Sequence, residues 1–217
     1  MALLAMVLVQ PTLAQAPQVG FVRLVNVAAA GEGNLNVTID GKNYWKNGIK
    51  LGQRSGGIGL RAGKKEFVLS KSGCKSAKRS IDVAVGETQT IVFYSQPVRD
   101  EDGNIVEWEL KVARLRQHDP EQGLHFTVIS FCEEPELPIE IYESASQATK
   151  KVVVPKMKTT RVELEGALVS AEIRHAGEVV TTVMAERRGN YVVMLYTDGD
   201  GARKGVSFYD PKFVLAN

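Results

Sequence analysis

Residues 55–65 read SGGIGLRAGKK, and whether they cradle a phosphate or join two strands decides what kind of protein to expect. A phosphate-binding loop needs G-x-x-x-x-G-K-[ST] leaving a strand and entering a helix. Here Gly59 and Gly63 stand one residue too close, and Lys65 takes the place of the magnesium-binding hydroxyl. The following EFVLSKSG has the pattern of a strand, so no helix N-terminus would face the phosphate. A dinucleotide fingerprint fails for the same reason. The stretch is expected to be a hairpin, with Gly63 at positive φ joining two strands and Gly56, Gly57 and Gly59 loosening the first of them.

The chain on either side is patterned at period two. LNVTID (35–40) places Leu35, Val37 and Ile39 on one face; SIDVAVG (80–86) does so with Ile81, Val83 and Val85. VEWELKV (106–112) alternates Val106, Trp108, Leu110 and Val112 with charged residues, which assigns Trp108 to a core. Such alternation suits a sheet with one wet and one buried face. Turn pairs such as Asp40-Gly41 and Asp102-Gly103 separate the runs at short intervals, and no amphipathic helix interrupts them. The expected fold class is all-β, built as antiparallel β-sandwiches.

The second half replays the first. GFVRLVNVAAAGEGNLNVTIDG is answered by LHFTVISFCEEPELPIEIYES, and the turn at Gly63 by one at Gly166. The long hairpin tipped by RDEDGN (99–104) is answered by YTDGDGAR (196–203). Matching order of strands and turns predicts a duplication into two tandem domains, 17–116 and 117–217, jointed in the polar RLRQHDPEQG (114–123).

VTIDGK, SGGIGLRAGKKEFVL and VAVGETQTIVFY, in that order, resemble a family of bacterial exported β-sandwich repeats catalogued as a domain of unknown function. The resemblance covers about residues 20–96; the second half keeps the turn glycine and loses the Ala-Gly-Lys. It implies an immunoglobulin-like sandwich outside the cell membrane, often in tandem, and brings no catalytic residues. The N-terminus fits export: Ala2 to Val9 are apolar and too few to span a bilayer, and Ala14-Gln15-Ala16 has the small-x-small pattern of a cleavage site. A signal peptide over 1–16 and a periplasmic or extracellular location are therefore expected. No later segment is apolar enough to be a transmembrane segment.

Charge and aromatic placement give the candidate binding residues. Lysines and arginines crowd the window from Lys42 to Arg79, where Glu66 is the sole acid, while Glu133, Glu134 and Glu136 cluster in the second half. This asymmetry points to an anionic partner, or to pairing of unlike halves between molecules. For an exported protein the partner would be an anionic envelope polymer or another envelope protein, and not nucleic acid. Lys64, Lys65, Lys75 and Lys78 would form the basic surface. Tyr44 and Trp45, set between lysines, would either anchor a ligand or fold back over one end of the sandwich. No cofactor motif is present, and the paired acids before glycine at the two hairpin tips suit turns better than a calcium loop. His118, His125 and His175 share no ligand spacing, and no nucleophile motif accompanies them. The chain reads as non-catalytic. Cys74 and Cys132 would have to meet across the two halves to form a bridge.

Overall fold

The computed structural model describes residues 18–116, 123–165 and 169–210. The expected leader at 1–16, the middle of the joint with His118, and the Gly166 turn lie outside these residues. Eight strands come first: β1 (Val19–Val27), β2 (Glu32–Ile39), β3 (Lys42–Asn43), β4 (Ile58–Arg61), β5 (Gly63–Ser72), β6 (Ala77–Val83), β7 (Thr88–Arg99) and β8 (Ile105–Arg116). Eight more follow: β9 (Leu124–Ser130), β10 (Glu136–Glu143), β11 (Ala148–Pro155), β12 (Thr159–Leu164), β13 (Val169–His175), β14 (Glu178–Ala185), β15 (Gly189–Thr197) and β16 (Arg203–Tyr209). The described residues contain no helix.

The first eight strands make two sheets, ordered β4-β1-β7-β8 and β3-β2-β5-β6. The second eight repeat that order strand for strand, as β12-β9-β15-β16 and β11-β10-β13-β14. Pairing is antiparallel except at β1–β7 and its counterpart β9–β15, which are parallel in both halves. The protein is thus all-β, two tandem sandwiches of one topology. Between the sheets of the first sandwich lie Leu35, Val37, Phe67, Leu69, Ile91 and Phe93; between those of the second lie Phe126, Leu137, Ile139, Ile173, Val193 and Leu195.

A third apolar cluster joins the two sandwiches. Val25, Val27 and Val92 from β1 and β7 meet Ile129, Val192 and Met194 from β9 and β15, together with Phe131 and Phe208. These four strands are buried on both faces: Leu24 points into its own sandwich and Val25 into the joint, as do Val193 and Met194. Their sequences accordingly run apolar without alternating.

The structure corrects three expectations. SGGIGLRAGKK is not a hairpin: Ile58–Arg61 pairs with β1, whereas β5 pairs with β2 and β6 in the opposite sheet. Gly63, at φ 109°, carries the chain from one sheet of the sandwich to the other. Val85 is exposed, because β6 stops at Val83 before the turn at Gly86. Trp108 is only half-buried and Val106 is exposed, because the β7–β8 hairpin outruns the sheet that faces it. Both cysteines are free, Cys132 within the second core and Cys74 half-exposed at the β5–β6 turn.

Candidate binding surfaces

Tyr44 and Trp45 follow the two-residue strand β3, at the edge of its sheet. The Asn43 carboxamide oxygen accepts from the Trp45 amide at 2.8 Å and turns the chain there. Trp45 folds back against the first core, while Tyr44 stays exposed, its ring 5.9 Å from that of Trp45 and 5.0 Å from the Lys42 ammonium. Trp45 is thus a cover for the sandwich, and Tyr44 is what a partner could reach.

The lysines do not form an unopposed basic face. Lys65 reaches Asp40 at 3.1 Å, Lys78 reaches Glu66 at 2.7 Å, and Lys75 lies between Glu107 at 3.3 Å and Glu109 at 3.2 Å. Hydrogen bonds to Glu109 and then Glu107 hold the Lys75 ammonium above its ordinary range. Lys64 alone of the four has no carboxylate partner among the described residues. The six candidate residues are also spread out. β3 and β6 are opposite edges of one sheet, three strand spacings or about 14 Å apart, which separates Tyr44 and Trp45 from Lys78.

One concavity does collect a candidate residue. An open groove of about 510 Å³ is lined by Gly73, Cys74, Lys75, Ile105, Val106, Glu107 and Trp108, where the overhanging β8 meets the β5–β6 turn. The Lys75 amide donates to the Trp108 carbonyl at 2.8 Å, and the Leu110 amide donates to the Lys75 carbonyl at 3.2 Å, which pins that turn to the edge of β8. Below it, the buried Lys71 ammonium donates to the Ala28 and Ala29 carbonyls at 2.7 and 3.3 Å. Burial lowers the Lys71 pKa and raises that of the neighbouring Cys74 thiol. At neutral pH this leaves a thiol rather than a nucleophilic thiolate.

The remaining sequence candidates resolve into structure. Asp100 Oδ1 accepts from the amides of Asp102 and Asn104, and Asp198 Oδ1 from those of Asp200 and Ala202, so both acidic tips are self-bonded turns. Among the described residues no group of three or more His, Cys, Asp or Glu could hold a metal ion. No helix among them is long and apolar enough to cross a membrane. His125 is buried beside Arg161, and His175 Nδ1 lies 2.8 Å from the Pro138 carbonyl. The acidic cluster is partly used within the chain: Arg99 at the end of β7 pairs with Glu133 at 2.5 Å, and Arg203 pairs with Glu134.

Sequence reasoning missed the polar clamp of the joint. Arg23, 2% exposed on the outer face of β1, pairs with Asp210 at 2.7 Å. Arg54 donates to the Tyr209 carbonyl at 3.2 Å and covers the Phe208 ring at 4.7 Å. The available signal was Arg23 itself, a charge inside an otherwise apolar run.

The fold defines the molecule as a tandem β-sandwich protein with its sandwiches packed side by side. No family model matches the chain, and no curated protein matches it. Among solved structures it is similar to the Bacillus anthracis TIE protein, at 11% identity and a TM-score of 0.24. That match covers 83% of this chain and spans half of the other.

Proposed function

We propose that this is an exported, non-catalytic module of the bacterial envelope, acting by binding or by structural assembly in the periplasm or outside the cell. The leader-like N-terminus and the family resemblance of residues 20–96 support the location. The observation that supports binding most is the groove beside β8, where the half-buried Trp108 and the exposed Ile105 and Val106 stand beside Lys75 and its partner Glu107. Aromatic and apolar side chains exposed in one concavity are enriched at recognition sites, with charges toward the rim. Lys64, which among the four candidate lysines has no carboxylate partner among the described residues, is the further contact for an anionic envelope polymer. The alternative, a protein partner met through unlike charge, is weakened by the Arg99–Glu133 and Arg23–Asp210 pairs, which use such charges within one chain.

Residues 17–217 should sediment with purified envelope fractions, and binding should weaken as salt rises from low to physiological ionic strength. Lys64→Glu with Lys75→Glu should abolish the effect. Retention that ignores both salt and these substitutions would remove the electrostatic mechanism.

A further inference from the structure

We infer that the open edge of β11 is a docking site for an extended acidic peptide, which adds to the outer sheet of the second sandwich as a fifth strand. This goes beyond the function proposed above and uses a different sandwich. β11 terminates its sheet and pairs with β10 along all eight of its residues without a shift in register. Straight and unbulged, it keeps the form that a further strand can extend.

The direction of its free groups follows from Pro138. The Pro138 carbonyl is met by His175 on the β13 side, so Pro138 turns its backbone away from β11. In an antiparallel pair alternate residues face alternate neighbours. Val153, opposite Pro138, therefore points its amide and carbonyl away from β10, as do Thr149 and Lys151. Among the described residues no strand pairs with that side.

The charge of this edge selects its occupant. Residues 149–158, TKKVVVPKMK, hold four lysines and no acid. Lys150 donates to the Glu163 carbonyl at 2.6 Å and reaches Glu143 at 3.8 Å, and Lys156 donates to the Glu133 carbonyl at 3.5 Å. This leaves Lys151 and Lys158 as the charges that face a partner. Lys151 is 82% exposed although it reaches Glu140 at 3.4 Å, and Val153 and Met157 are exposed beside it. A second copy seated antiparallel on this edge would bring two sets of lysines to one seam, and like charges oppose that pairing. An acidic strand meets the same lysines favourably. Its backbone satisfies the free amides and carbonyls, its acids fall on the outer face beside Lys151, and its apolar residues fall on the inner face beside Val152. The first sandwich offers no equivalent, since β3 has two residues.

The test uses the full chain and a peptide of about eight alternating glutamates and valines, the length of a typical strand. Binding should slow amide hydrogen exchange at Thr149, Lys151 and Val153. Lys151→Glu with Lys158→Glu should weaken binding about tenfold, as expected when the cross-strand attraction at Lys151 and that of the Lys158 charge beyond the strand end both become repulsions. Val153→Pro removes an outward amide while leaving the β10 ladder its donors, and should abolish the protection. Its thermal midpoint checks the fold, and the double lysine variant tests the site independently of proline. An alternating lysine–valine peptide should not bind. The inference is overturned if polyglutamate binds as well as the alternating peptide, if protection falls elsewhere, or if the peptide does not bind. Self-association through this edge in sedimentation velocity would overturn it as well. Lys64→Glu with Lys75→Glu should leave peptide binding unchanged, which separates failure here from failure of the groove near β8.

Discussion

The two sandwiches share a strand order and differ most at their third strand. In the second, β11 is a full strand of eight residues, followed after residues 156–158 by β12. In the first, β3 stops after two residues, and residues 44–57 run instead from β2, where Ile49 pairs with Leu35, to β1, where Arg54 pairs with Val25. That segment seats Trp45 on the core and bonds along β1, with Gly52 donating to the Asn26 carbonyl and Ser55 to that of Leu24. It then delivers Arg54 to Phe208 and Tyr209 of the second sandwich. Where the second sandwich has a sheet edge, the first has a strap that reaches the joint.

The strongest test of that difference is to cut the clamp beneath the strap. Asp210→Ala takes the carboxylate from a guanidinium that is 2% exposed. Breaking a buried pair by removing one partner costs about 3–5 kcal/mol, and urea unfolding should show a loss of that order. A second transition should appear in the same curve as the sandwiches uncouple. A loss under about 1 kcal/mol, within the range of exposed ion pairs, would mean that the apolar cluster alone holds the joint.

Trp45→Ala and Val153→Ala compare strap with edge directly. Trp45 is half-buried against the core, so about half the usual Trp→Ala cost, or roughly 2 kcal/mol, is expected from thermal unfolding. Val153 is half-exposed on the outer side of β11, and its truncation should stay within about 0.5 kcal/mol. Equal costs would show that residues 44–57 are a surface loop and not a strap.

The alternating strand LNVTID placed Leu35, Val37 and Ile39 in the core as read, because one wet face leaves its signature at period two. The apolar runs of β1, β7, β9 and β15 carried a further message. Phe-Val-Arg-Leu-Val in β1 lacks alternation because both its faces are covered, which is the sequence mark of the joint. The crossover at Gly63 was unreadable, since a positive-φ glycine serves a hairpin and a change of sheet equally well. Counting lysines along the chain overstated the basic surface for a related reason. Asp40, Glu107 and Glu109 lie outside the window in sequence and reach its lysines through strand pairing and packing. Nothing local announces such partners.

The smallest effect concerns the two hairpin tips, which have the same geometry in both copies. The Asn104 amide, its side chain, and the amides of Asp102 and Gly103 hold the exposed Asp100 carboxyl below its ordinary pKa. A lowered folded value means that the ionised carboxylate stabilises the turn fully above the unfolded pKa. That contribution is lost as pH falls through the lowered folded value. The Asn104 amide resonance should therefore titrate with a midpoint below that of a free aspartate. Asp100→Asn keeps an acceptor for the turn and should hold the resonance flat with pH. Asp100→Ala should shift it to the acid-limit position at every pH. A wild-type Asn104 amide that ignores acid would show that backbone geometry alone closes the tip, and the parallel with Asp198 would then rest on glycine placement rather than on the carboxylates.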